Sequence, residues 1–171
     1  MTGAEAVQIR PAGPDDADPL GRCHVDCWRE AYRGLVDGPG FRAELTRVDE
    51  RVERWRQVLG GPHGTVVAVS DGDVVGFASA GPQRDDDVDL PLELYALYVR
   101  QARWGTGLGH RLLEAVVRDA PGSLWVLGTN ERARTFYSRH GYRCDGAEKH
   151  DDVFGTEVRM VRRPVAGATA G

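Results

Sequence analysis

Apolar positions along this chain recur with two periods, and each switch between them marks a new element. The run VQIRP (7–11) reads as a first strand, and GPDDADPL then opens a helix. Acidic residues suit the positive end of a helix dipole, and Pro19 is tolerable only in the opening turn. This helix reaches about Tyr32, with Leu20, Cys23 or His24, Cys27 and Ala31 on one side, and RGLVDGPG follows as a loop. Leu45, Val48, Val52, Trp55 and Leu59 step by three, four, three and four, the spacing of an amphipathic helix that GGPHG ends. TVVAVSDGDVVGFASAG predicts two strands around an Asp71-Gly72 hairpin turn. A polar loop, PQRDDDVDLP, leads to the strand LELYALYV (92–99). A helix follows from about Gly107 to Asp119, its apolar face formed by Leu108, Leu112, Leu113, Val116 and Val117. LWVLGT is another strand, and NERARTFYSRHG is a helix closed by Gly141. The last stretch, YRCDGAEKHDDVFGTEVRMVRR, reads as two strands joined across an acidic turn.

The order β-α-α-β-β-β-α-β-α-β-β predicts an α/β (α+β) fold, a mixed sheet with helices on both faces. A length of 171 residues suits one domain, expected over 1–163, with 164–171 a disordered tail. Hydrophobic residues at 41% and charged residues at 28% are an ordinary globular balance. The net charge of −4 argues against a nucleic-acid partner, which would call for a basic surface. Almost all the positive charge is arginine, and Lys149 is the single lysine. Cys23, Cys27 and Cys144 lack the spacing of a zinc site and read as reduced packing residues, so no metal is expected. No apolar run approaches the ~20 residues of a membrane span, and Met1–Gly13 lacks the apolar core of a signal peptide. A cytoplasmic location without membrane attachment is therefore expected.

One stretch conflicts with its own helix signal. VRQARWGTGLGHRLLEAV (99–116) places Gly105, Gly107 and Gly109 where a helix begins, although a glycine inside a helix costs about 1 kcal/mol relative to alanine. A strand running through such a turn into a helix makes an anion site. Its N–H groups converge, the helix dipole adds to them, and no Cβ keeps a pyrophosphate away. An ordinary glycine-rich turn is the alternative. A dinucleotide site would need G-x-G-x-x-G near the first strand, and a Walker loop would need Gly-Lys-Ser/Thr; neither is present.

LYVRQARWGTGLGHRLL resembles the acetyl-CoA pyrophosphate loop of the GNAT N-acetyltransferase superfamily. The family pattern Arg/Gln-x-x-Gly-x-Gly/Ala falls on Trp104, Gly107 and Gly109, with Trp104 departing from the usual Arg or Gln. A second segment, NERARTFYSRHGY, resembles the family's Asn-x-x-Ala-x-x-Phe-Tyr-x-x-x-Gly-Phe/Tyr block about twenty residues later. The resemblance spans the whole chain. It implies a mainly antiparallel central sheet of six to seven strands with about four helices, and acetyl-CoA as co-substrate. It implies a cofactor site of Leu97, Tyr98 and Val99 for the pantetheine arm, Trp104, Gly105, Thr106, Gly107, Leu108, Gly109 and His110 for the phosphates, and Asn130.

Acetyl transfer to an amine requires a neutral nucleophile and a proton for the departing thiolate. Tyr137 matches the family's proton donor, and a phenol with a pKa of about 10 is protonated at neutral pH. The alternative is a core aromatic beside Phe136. Period-two alternation puts Glu93, Tyr95, Leu97 and Val99 on one face of their strand and Leu94, Ala96 and Tyr98 on the other. A Glu early on this strand is the base in some relatives, which makes Glu93 the candidate; a strand-end surface carboxylate is its alternative. Ribosomal-protein alanine acetyltransferases resemble the same two blocks but carry their base five residues before the Asn, where this chain has Trp125.

The acceptor implied is the primary amine of a small molecule or peptide, and a homodimer is compatible with the resemblance. Trp28 and Tyr32 lie four apart on one helix face and form either an aromatic substrate wall or core packing. Asp85, Asp86, Asp87, Asp89, Asp145, Glu148, Asp151 and Asp152 make either an acidic rim for a cation or a solvated surface. An acidic rim would favour an aminoglycoside-type resistance acetyltransferase. A non-catalytic acyl-CoA-binding module is the competing reading from another class.

Overall fold

Seven strands form one sheet in the order β1-β2-β3-β4-β5-β7-β6 in the computed structural model, which describes residues 6–164. They are β1 (Gln8–Pro11), β2 (Gly64–Ser70), β3 (Asp73–Pro82), β4 (Leu92–Val99), β5 (Gly122–Leu127), β6 (Arg143–Asp151) and β7 (Gly155–Arg162). Every neighbouring pair is antiparallel except β4 and β5. The helices are α1 (Ala17–Ala31), α2 (Pro39–Glu44), α3 (Val48–Leu59), α4 (Leu108–Val117) and α5 (Glu131–Arg139). All but one residue of the expected tail lies outside the described residues.

Alternation along the strands sorts the core into two layers. Val67 and Phe77 meet Leu20, Cys23, Cys27 and Trp55 from α1 and α3. Their strand neighbours Ala68 and Ala78 meet Leu108 and Leu112 of α4 on the opposite face. Leu112 and Leu113 are fully enclosed, and each such side chain contributes about 1.5–3 kcal/mol of burial. His24 is sealed in the first layer, where its Nδ1 accepts the Trp55 indole N–H and burial holds the ring neutral. Cys23 and Cys27 are buried free thiols, whereas Cys144 is exposed on β6 and packs in no core.

Two features differ from the sequence expectation. A short helix, α2, begins inside the segment read as a loop (33–40), with Pro39 in its first turn and Phe41 buried against Tyr32 and Phe154, so Leu45 ends α2 and does not begin α3. The driving contact is long-range, and the local composition of Gly and Pro conceals it. Strand β4 also breaks its own alternation. Ser79 pairs with Ala96 and Ala80 with Leu94, which leaves Tyr95 as the extra residue of a bulge. Leu94 and Leu97 consequently share the α4 side, while Ala96 and Tyr98 face α1 and α3. The expected grouping of Glu93 with Leu97 is thus corrected, because a bulge inverts the face of everything beyond it.

Candidate active site

Strands β4 and β5 stay together for only three pairs, Leu92–Leu94 with Gly122–Leu124. Past the Tyr95 bulge, β4 pairs with β3 alone while β5 continues along β7. The two strands separate into a V that opens a cleft of about 670 Å³ through the sheet. Arg100 donates its backbone N–H to Val75 of β3, so by alternation the polar backbone groups of Leu97 and Val99 point the other way, into the gap.

The turn after β4 is anchored on three sides. Arg100 forms an ion pair with Glu30 of α1 at 2.9 Å, and the Gln101 N–H donates to the same carboxylate. Arg103 reaches Ser70, and the Trp104 indole N–H donates back to the Val99 carbonyl at 2.8 Å. The Trp104 ring also stacks under the Arg132 guanidinium of α5, 3.6 Å from the ring centroid. Trp104 thus ties the end of β4 to α5, a role distinct from a direct contact with phosphate.

Gly105 and Gly107 adopt φ of +72° and +83°, left-handed conformations that other residues enter at a cost. Space around both is open, whereas a Cβ on Gly109 would meet the Phe136 ring at 3.3 Å. No amide from Gly105 to His110 donates a backbone hydrogen bond to a described residue; the Arg111 N–H is the first that does, to Gly107. Six successive N–H groups are therefore without a backbone acceptor among the described residues, and Gly105, Gly107, Gly109 and His110 of this run line one end of the cleft at the start of α4, an arrangement suited to an anion.

On the opposite wall, Asn130 caps α5 by accepting the Ala133 N–H, so its oxygen is already engaged. Tyr137 is buried and lines the cleft, and its hydroxyl has no hydrogen-bond partner among the described residues. Burial pushes its phenol above the usual range, with Tyr98 and Tyr142 adding to the shift and Arg132 opposing it. The cleft brings together Tyr32, Glu93, Leu97, Tyr98, Val99, Trp104, Gly105, Gly107, Gly109, His110, Asn130 and Tyr137. Three expected residues keep their side chains out of it. Leu108 is buried in the core, the Thr106 hydroxyl turns to the Arg103 carbonyl, and Trp28 packs behind the wall. Trp28 acts through Tyr98, whose hydroxyl accepts its indole N–H and shares a 2.8 Å hydrogen bond with Tyr32.

Glu93 is not a surface carboxylate: it is 2% exposed. Its oxygens accept three hydrogen bonds from Arg84, one from the backbone N–H and two from the guanidinium, the shortest at 2.6 Å.

The acidic rim is also corrected, because none of the eight carboxylates lines the cleft. Asp85, Asp87 and Asp145 converge on the guanidinium of Arg159, a buried β7 residue, at 3.2, 2.6 and 2.8 Å. Asp151 accepts the N–H groups of Val153 and Phe154 in the hairpin turn. Sequence spacing could not reveal this convergence, since Arg159 lies 72 residues from Asp87. Arg159→Met should leave Asp85 and Asp145 without their counter-ion. Asp87 is solvent-screened and adds nothing to the figure; from the pairs with Asp85 and Asp145, about 2 kcal/mol is expected to be lost. For a domain of this size that is a fall in Tm of roughly 5 °C, measurable by thermal denaturation.

The acetyltransferase (GNAT) family model matches residues 26–142, the span that holds both splayed strands, the glycine turn, Asn130 and Tyr137. The chain belongs to the GNAT family of acetyltransferases. This GNAT protein is 32% identical over 162 residues to the N-acetyltransferase YuaI of Bacillus subtilis, covering 91% of this chain and 90% of that one. It is 31% identical over 146 residues to an N-acetyltransferase of Archaeoglobus fulgidus, covering 80% and 93%. The crystal structure of PaiA N-acetyltransferase from Thermoplasma acidophilum in complex with coenzyme A superposes with a TM-score of 0.69. That match covers 93% of this chain and 99% of the other at 16% identity, which shows the shared fold.

Proposed function

We propose that the protein transfers an acetyl group from acetyl-CoA to a primary amine by direct attack, with Tyr137 as the general acid. The observation that carries this reading is the V between β4 and β5, with the backbone of Leu97 and Val99 on one wall and, on the other, the Tyr137 hydroxyl, which has no partner among the described residues. A pantetheine arm laid along β4 would complete the hydrogen bonding that β5 abandons, as an added strand does. The amides of Gly105–His110 would receive the pyrophosphate. In the transfer, the amine nitrogen bonds to the acetyl carbon, the carbon–sulfur bond breaks, and Tyr137 delivers a proton to the departing sulfur. A phenol whose pKa is raised by burial remains protonated, and so able to donate, throughout the neutral range.

Glu93 is the proposed acceptor of the amine's proton. Its partner Arg84 has a side chain 62% exposed, so the guanidinium has room to swing toward solvent and leave the carboxylate to the amine. Glu93→Gln is expected to lower kcat/KM most at low pH, where few amine molecules are neutral, and to recover as pH rises. A profile parallel to wild type would reduce Glu93 to an anchor for Arg84. The reaction itself is tested by following free thiol release from acetyl-CoA against a panel of amines and peptides. Tight coenzyme A binding with no acceptor consumed would point to the binding-module reading instead.

A further inference from the structure

Two carboxylates from the sheet line the side of the cleft that faces α1, and their surroundings differ. Glu93 is saturated by Arg84, whereas Glu157 of β7 accepts no hydrogen bond from any described residue although its side chain is only 25% exposed. The nearest cation to Glu157 is the ammonium of Lys149, directly across the β6–β7 ladder, at 3.4 Å. That ammonium also sits over the face of the Trp125 ring, 4.4 Å from its centroid. Trp125 is held in place from behind: its indole N–H donates to Asp85, and Asp85 is fixed by Arg159. An aromatic face and a carboxylate at right distances for one ammonium, both in the cleft wall, form a cation-binding subsite. Lys149 occupies it from the chain itself, with a side chain 48% exposed and able to swing away.

We infer that Trp125 and Glu157 form the subsite that receives the acceptor as a primary alkylammonium, and that Lys149 is its resident occupant, displaced when the acceptor enters. The inference deepens the proposed function and rests on it for the word acceptor. It selects among amines by charge: Glu157 recruits the cation, and proton removal at Glu93 follows. Other charged groups lining the cleft are Arg84, already paired, Arg132, stacked on Trp104, and Arg103, Glu131 and Arg139, while Arg159 approaches the Trp125 ring to 5.5 Å. Glu131 is the one carboxylate among them, and it stands in the first turn of α5, not on the strands that carry Trp125 and Glu157.

The test is calorimetric titration of butylammonium chloride into the protein saturated with coenzyme A, with sodium chloride matched for ionic strength. Lys149→Met keeps the aliphatic stem and removes the competing charge, so binding should tighten about tenfold; Glu157→Gln should weaken it about tenfold. Butanol, with the same stem and no charge, should bind at least about tenfold more weakly than butylammonium to the wild type. Equal affinity across the three proteins, equal affinity for butanol, or no binding to any of them overturns the inference. Coenzyme A affinity, measured first in the same samples, confirms that each variant is folded and reports on the donor site. Normal coenzyme A binding with an unresponsive ammonium titration sinks only this subsite. Absent coenzyme A binding in the wild type sinks the proposed function, and the ammonium titration is then read on the free protein.

Discussion

Tyr137→Phe is expected to lower kcat by about 10²–10⁴-fold, the usual contribution of a general acid, with little change in coenzyme A affinity. The substitution removes one hydroxyl that has no partner among the described residues and keeps the ring that packs edge-on against Phe136 and Tyr142. Folding should therefore be nearly unaffected, and the whole loss should fall on the chemical step. If product release limits turnover, the steady-state loss will be smaller, and single-turnover measurements recover it. Acyl donors whose leaving thiols are more acidic than coenzyme A need less proton transfer and should rescue the variant relative to wild type. An equal defect on every donor, or wild-type single-turnover rates, would leave Tyr137 as a packing residue.

Gly107→Glu is expected to weaken coenzyme A binding by at least about a hundredfold. Left-handed backbone at φ +83° costs a non-glycine residue about 1 kcal/mol, yet an added Cβ meets nothing within 4 Å, so the protein should still fold. The carboxylate would lie beside the free amides of the α4 start, compete for them, and repel the phosphates by about 1–4 kcal/mol. Gly107→Ala separates the two effects, because it carries the strain without the charge and should lose only several-fold. The charged part of the defect should shrink in high salt. Calorimetry that finds unchanged affinity in a folded Gly107→Glu protein would remove this turn from cofactor binding.

Local physics makes most of the architecture legible in the sequence. The step pattern from Val48 to Leu59, the Asp71-Gly72 turn, and the alternation in β2 and β3 are short-range signals, and α3, the hairpin and the sheet faces follow them. The glycine run was readable for the same reason: Gly105 and Gly107 are required by their own dihedral angles, whatever packs around them. Asn130 and Tyr137 lie seven residues apart, a cap and a position two turns on, and local helix geometry alone brings both to the cleft.

The failures of the sequence reading share one property, dependence on residues distant in the chain. The Tyr95 bulge is decided by register against Ser79 and Ala80, so strict alternation misassigned every residue of β4 beyond it. Carboxylates in a row looked like a surface or a rim until Arg159 was brought beneath them from β7. Glu157 carried no signal at all, since nothing in TEVRM separates it from an ordinary strand glutamate. Only the parting of β4 from β5 opens the cleft beside it, and only the β6–β7 pairing sets Lys149 over Trp125. Sequence by itself determined the elements, the glycine turn ahead of α4 and the family likeness, because each depends on neighbours a few residues apart. Tertiary structure alone decided which charges face one another and which carboxylate in the cleft stays unsatisfied, because side-chain electrostatics are set by what the fold brings within a few ångströms.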